Sequence, residues 1–440
     1  MLFSLILTFF MTLCGTMSNL LTKQVTKTSD LADFWRLLTT SDFADRFEVV
    51  SFASTLNSIF KFSQIVTNCT INNVTTLDKA IRQLQDFADI LFYINWYYLD
   101  IVYLIEPIVW LVIFFIVFII PVFIIIAYAT LLERKLMGSI QRRQGPNVVG
   151  VKGLLQPLAD GLKLLVKEFF WPKKSYFGIY FFAAGLGLII SLYLWFFLPL
   201  NSYPTVSLPI LLLFILAIQI IETYSLILAG WASNSKYALL GALRTTAQMI
   251  SYELSLSFII LSIVSICGTL DLVDIILFQS QSIWLIIPLL PLFGLFLCAS
   301  LAETNRTPFD LPEAEAELVA GYNVEYSGML FALFFLAEYA NMAFLSTLIS
   351  IFFLGGWHVP GLLISNPYLQ SAILGIKTTI LLFFFVWVRA TLPRYRYDQL
   401  MDLGWKVFLP FTFSFFMFII IVLYYSGALP IHLLNFYFYF

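Results

Sequence analysis

Eight apolar segments recur along the second part of the chain, at residues 104 to 130, 177 to 199, 208 to 230, 239 to 267, 283 to 302, 321 to 352, 371 to 390 and 407 to 426. Each is long enough to cross a bilayer as a helix of about 20 residues. The polar positions between them alternate in kind. The first, third and seventh links hold the cations: Arg134, Lys135, Arg142, Arg143, Lys152, Lys163, Lys167, Lys173 and Lys174, then Lys236, then Arg394, Arg396 and Lys406. The second, fourth and sixth links have no Lys or Arg. By the positive-inside rule the odd links, with the acidic fifth, face the cytoplasm or the mitochondrial matrix. The pattern predicts an all-α, polytopic membrane protein.

Two stretches break the spanning pattern. Within the first link, Leu154, Leu155, Leu158, Leu162, Leu165 and Val166 recur at three- and four-residue steps, with Asp160, Lys163 and Lys167 off that stripe. This predicts an amphipathic helix lying in the interface plane, able to seal the mouth of a cavity; an ordinary surface helix has the same pattern. Residues 16 to 100 are mixed in charge and rich in Ser, Thr and Asn, which makes residues 1 to 103 an extra-membrane extension, partly helical, on the side opposite the cationic links. There Leu77, Ile81, Leu84, Ala88 and Leu91 share one helical face, with Asp78, Lys79, Arg82 and Asp86 on the other. Residues 2 to 14 are too short a run for a span and have neither the basic start of a secretory signal nor an Arg-rich presequence. If the protein is mitochondrial, that points to synthesis inside the organelle. The sequons at Asn68 and Asn73 are a weak signal. Residues 104 to 427 form the core and 428 to 440 a tail.

Composition agrees with the pattern, at 60% hydrophobic and 11% charged. A net charge of -2 argues against a nucleic-acid partner, which calls for a basic face. Cys14, Cys69, Cys267 and Cys298 have no metal-ligand spacing, and His358 and His432 have no partner at helical spacing within a span. No glycine-rich nucleotide loop follows a strand, so nucleotide chemistry, and the cofactors of any redox work the protein joins, belong elsewhere.

The candidate chemistry is carboxylate chemistry. Asp310, Glu313, Glu315 and Glu317 crowd the fifth link with Arg306 as the basic side chain near them, and Pro308 and Pro312 forbid a regular helix there. Crowded carboxylates titrate as a coupled unit, which suits proton exchange; a solvated acidic loop is the plainer alternative. Within the spans lie Glu222 in the third, Glu253 in the fourth, and Glu325 and Glu338 in the sixth. A charge at such depth costs about 2.5 to 3.5 kcal/mol on insertion scales, so each is a functional candidate; a structural hydrogen bond between helices is the plainer account of any one.

Several long motifs occur in order: Glu133-Arg-Lys-Leu-Met-Gly, Gln144-Gly-Pro-Asn-Val-Val-Gly, Leu155-Gln-Pro-Leu-Ala-Asp-Gly-Leu-Lys, the run from Gly230 to Arg244, the acidic link with Ala337-Glu-Tyr-Ala-Asn, and Pro393-Arg-Tyr-Arg-Tyr-Asp-Gln-Leu-Met. Over residues 104 to 427 the chain resembles the subunit 1 family of NADH:ubiquinone oxidoreductase, respiratory complex I, most of all its mitochondrial members. The Phe-rich composition, 46 residues, suits an organellar gene. The resemblance implies an eight-span subunit of the inner membrane that binds ubiquinone as substrate, with FMN and iron–sulfur clusters on partner subunits and membrane lipids around it. It implies that Arg134, Arg143, Asp160 and Lys163 line or support the quinone chamber, with Arg306, Asp310, Glu313, Glu315 and Glu317 beside it. Glu222, Glu253, Glu325 and Glu338 would begin a buried carboxylate path for protons. The extension and Gln144, where many relatives have a basic residue, depart from the family pattern. Rival readings are the homologous subunit of a hydrogenase or bacterial quinone reductase, an ion-coupled transporter, for which the chain lacks two related halves, and a passive anchor for peripheral subunits.

Overall fold

A computed structural model describes residue 116 and residues 118–204, 206, 208–310, 321–360 and 366–427. The extension with its amphipathic segment, the start of the first span, Glu313, Glu315, Glu317 and the tail lie outside these residues. The described residues are helical and contain no β-strand. The helices are α1 (118–140), α2 (Gln156–Val166), α3 (Phe177–Phe196), α4 (Leu211–Ala232), α5 (Lys236–Cys267), α6 (Leu272–Gln281), α7 (Leu290–Glu303), α8 (Met329–Phe353), α9 (Pro367–Thr391), α10 (Tyr397–Asp402) and α11 (Leu409–Tyr425). A π-helical turn at Leu403–Phe408 joins α10 to α11. Among the described residues, six helices are long and apolar enough to cross a membrane: α3, α4, α5, α8, α9 and the continuous run Tyr397–Tyr425.

Local chemistry sets the helix ends. Ser235 caps α5 by accepting from the Ala238 amide at 3.3 Å, and Gly268, at φ 74°, closes its other end. Asn366 caps α9 ahead of Pro367 in the same way. Two expected spans come out shorter. Pro288 and Pro291 delay the fifth, so α7 begins at Leu290 and has 14 residues. In the sixth, Gly328 at φ 60° holds the chain out of helix until Met329, so Glu325 lies in the turn before α8 rather than in the span. The fourth link contains α6, capped by Asp271, where the sequence predicts only a connection.

The helices pack through small residues, since lipid supplies little drive for helices to associate. Helix α3 packs on α4 and α8, α4 on α5, and α5 on α7 and α11. A Cβ on Gly241 of α5 would come within 2.7 Å of the Gly321 backbone, so only glycine permits this approach. The 3-10 turn Gly321–Asn323 is thereby laid directly on α5. Beyond it, Tyr326 stacks on Tyr180 of α3 at 4.1 Å and donates to the Ala229 carbonyl of α4 at 3.3 Å. At the far end of α8, Lys377 of α9 donates to the carbonyls of Leu354, Gly356 and His358 at 2.6, 2.7 and 2.7 Å, with its ammonium 4.8 Å from the Trp284 ring. A side chain from one span thus caps the end of the span before it.

Candidate functional site

Glu222 of α4, Glu303 at the end of α7 and Glu338 of α8 border one cavity, with Asn305, Tyr322 and Asn341. The cavity volume is about 40 Å³, enough for about three or four waters at about 10 to 15 Å³ each. Residues of α3, α4, α5, α7 and α8, the start of the fifth link and the 3-10 turn therefore meet at a small polar chamber inside an apolar bundle.

Each acid has a different partner. Glu222, 7% exposed, accepts from the Asn341 amide. Glu303, 6% exposed, accepts from Gln219 at 2.8 Å through one oxygen. Its other oxygen, with Asn305 Oδ1 and Asn341 Oδ1, is a buried acceptor that has no donor among the described residues. Buried acceptors of this kind need a proton source, as a bound water or as a proton on the carboxyl itself. Glu253, on α5, stands near enough to act on Glu222 and Glu303 through its charge, and its Oε1 is likewise buried without a donor among the described residues.

Glu338 is paired with a cation. Arg306 Nε lies 2.6 Å from Glu338, while its Nη1 reaches both oxygens of Glu133 on α1 at 3.0 and 3.1 Å. Burial opposes the Arg306 charge, but Glu338, Tyr339 and Glu133 outweigh it and hold the guanidinium's pKa above its ordinary value. Tyr339 lies under the guanidinium at 4.3 Å and donates its hydroxyl to Glu133 at 2.6 Å. Glu133 also pairs with Arg389 of α9. Next along the link, buried Asp310 pairs with Arg394 at 3.0 Å. Tyr395 donates its amide to the Pro308 carbonyl at 3.0 Å and stacks on Phe309. The start of the acidic link is thus fastened to the cationic seventh link.

The structure brings Glu222, Glu338 and Arg306 together as a site, with Glu253 close by. Arg134 and Asp160 form a separate, exposed pair at 2.7 Å that ties α1 to α2, and Asp160 also accepts from Gln156 at 2.9 Å. Arg143 donates to Gln141 at 2.7 Å, and Lys163 is exposed on α2. Helix α2 has no buried residue, and Leu155, Leu158, Leu162, Leu165 and Val166 are exposed beside and along it. Glu325 contributes its carbonyl to the Tyr180 hydroxyl at 2.6 Å. Arg244 lies over the Tyr397 ring. Sequence reasoning left out Glu133, Glu303, Tyr339 and Arg389 as site residues. Glu133 and Glu303 lie toward the ends of apolar runs and are followed at once by charged or polar residues, Arg134-Lys135 and Thr304-Asn305-Arg306, so each reads as a charge reaching for water. Among the described residues no group of three or more His, Cys, Asp or Glu side chains could hold a metal ion.

A profile described as NADH dehydrogenase matches residues 113–420. The chain is 53% identical over 300 residues to NADH-ubiquinone oxidoreductase chain 1 of Chondrus crispus, covering 67% of this chain and 91% of that protein. It is 51% identical over 298 residues to the chain 1 of Arabidopsis thaliana, covering 67% and 91%. A bacterial relative, an NADH-quinone oxidoreductase subunit of Paramagnetospirillum magneticum, is 49% identical over 332 residues, covering 74% of this chain and 97% of the relative.

Proposed function

Because the chain belongs to the NADH dehydrogenase family, alongside chain 1 of the NADH-ubiquinone oxidoreductases and its bacterial NADH-quinone counterpart, we propose that it forms part of the quinone chamber of respiratory complex I and begins its proton path. It is a membrane subunit of that enzyme, and with its apolar helices and mitochondrial relatives a multi-pass protein of the inner mitochondrial membrane. Ubiquinone is the substrate, and the redox cofactors reside on other subunits. An ion-coupled transporter is a different family. We assign eight spans, counting α1 with residues 104 to 117 and the short α7, and an interfacial role to α2.

The observation that carries the proton reading is the chamber shared by Glu222, Glu303 and Glu338. Carboxylates on three elements around a space fit for water can exchange a proton without any backbone movement. Glu253 extends the set, and Glu325, Glu313, Glu315 and Glu317 would connect it to the quinone side. Arg306 and Asp310 border that side, and Arg134 with Asp160, Arg143 and Lys163 would flank its entrance. A redox event near the acidic link changes the local charge, which shifts the proton affinities of coupled acids.

The test is quinone reduction and proton translocation driven by NADH, in membranes carrying Glu222→Gln or Glu253→Gln. Assembly is checked on a native gel, and NADH oxidation by an artificial acceptor shows that the peripheral arm works. Coupled turnover should fall at least about tenfold, the low side of what a proton-transferring group contributes. Wild-type turnover and pumping in both variants would overturn the proton path and leave the chain an anchor.

A further inference from the structure

The four charges Arg389, Glu133, Arg306 and Glu338 form a line of alternating sign that runs from α9 through α1 and the fifth link to the cavity. The middle of the line is sealed: the side chains of Glu133 and Arg306 are 2% and 7% exposed. Its ends are more open, at 27% for Arg389 and 17% for Glu338. Two acids and two arginines sum to zero, so the line is neutral when Glu338 is ionised and has one excess positive charge when Glu338 is protonated. In a medium of low dielectric that excess is felt along the whole line, because each link is a direct contact.

Glu133 stands outside the residues that border the cavity. It acts through Arg306, which it holds with both oxygens against the Tyr339 ring. We propose that Glu133 is a positioning residue of the proton site, which with Arg389 sets the charge balance felt by the Arg306–Glu338 pair. The groups facing Glu338 are Arg306 from the fifth link, Glu303 from α7, Glu222 from α4 and Tyr322 from the 3-10 turn, with Glu133, Tyr339 and Arg389 behind Arg306. Of the cations among them, Arg306 touches the cavity's acid directly, and Glu133 and Arg389 decide how much of its charge Glu338 feels.

The inference rests on the reading of Glu338 as a proton-exchanging acid, and charge arithmetic separates the two. Glu133→Gln leaves the line one positive charge in excess, and Arg389→Gln leaves it one negative charge in excess. The double variant Glu133→Gln with Arg389→Gln returns it to neutral. Glu133→Asp keeps the charge throughout. The experiment measures NADH-driven quinone reduction in membranes for these four variants and for Glu338→Gln, with artificial-acceptor activity as the assembly control. Each single glutamine variant should lose about tenfold, within the coupling found among residues of one ion network, and the double variant should recover to within about threefold of wild type. Glu133→Asp should stay near wild type.

Losses that add or multiply in the double variant mean that Glu133 and Arg389 serve packing alone, and they overturn the proposal. So does wild-type turnover in both singles. If Glu338→Gln alone is impaired in that case, the proton reading stands and the positioning role falls. If Glu338→Gln is silent, the proton reading itself falls. Should the single variants fail to assemble, the double variant decides: restored assembly and turnover support the charge balance, and continued failure sinks it.

Discussion

At the scale of the residue, the site depends on which polar atoms have found partners. Asn341, which lines the cavity, serves Glu222 with its amide nitrogen, while its oxygen is buried without a donor among the described residues. Asn341→Leu removes both, leaving buried Glu222 without its amide donor. Coupled quinone reduction should fall several-fold while the complex still assembles, read in the same membrane assay. Asp310 offers a second test. Its partner Arg394 is about half exposed, so the pair contributes modestly, about 1 kcal/mol. Arg394→Gln should leave assembly intact and speed hydrogen exchange at the Tyr395 amide, whose bond to Pro308 the pair supports. The acids Glu222, Glu253 and Glu338 were legible in the sequence because a charge deep in an apolar run needs a reason. Glu133, Glu303 and Arg389 were not, since their worth comes from partners on distant elements that no spacing reveals.

At the scale of the element, long apolar runs were read correctly as helices for α3, α4, α5, α8 and α9, and their ends were set by chemistry too local for hydropathy to register. Prolines shortened α7, a glycine at positive φ delayed α8, and Asp271 started the unforeseen α6. Two predictions belong here. Lys377→Met withdraws the donor from three carbonyls at the end of α8, where the following turn has no other such cation in contact among the described residues. It should destabilise the subunit by about 3 kcal/mol, seen as a lower melting temperature of the purified complex and reduced assembly. Gly241→Ala drives a methyl group into the Gly321 backbone, which cannot give way as a flexible side chain would. The turn Gly321–Asn323 should lift from α5, and because Tyr322 lines the cavity, turnover should fall with it.

At the scale of the whole molecule, the alternation of charge between links yields an orientation that a labelling experiment can check. In a background free of native cysteines, Ser202→Cys and Ser282→Cys should react with a membrane-impermeant thiol reagent from the side opposite Lys236→Cys. The same side for Ser202 and Ser282 requires an even number of crossings between them, which α4 and α5 supply. Equal reactivity of all three from one face would overturn the arrangement. The membrane class and helical fold were legible because the bilayer demands long apolar helices. The meeting of α4, α7 and α8 around one chamber was not, because it depends on which lipid-competent faces turn inward, and small residues such as Gly187 and Gly241 decide that.

The long reach of Glu133 also sets a schedule for biogenesis. Its partners Arg306, Tyr339 and Arg389 lie 173, 206 and 256 residues later in the chain. A ribosome feeding this protein into the membrane therefore delivers an acid whose counter-ions have not yet been made. Until the later segments arrive, α1 has an uncompensated carboxylate near the end of its apolar run, at an insertion cost of about 2.5 to 3.5 kcal/mol if it is drawn inward. The first helix can dock for good only once the seventh expected span, with Arg389, has emerged. A chain truncated before that point should remain open to membrane quality control, and with this one cluster closed only α10 and α11 are left to dock.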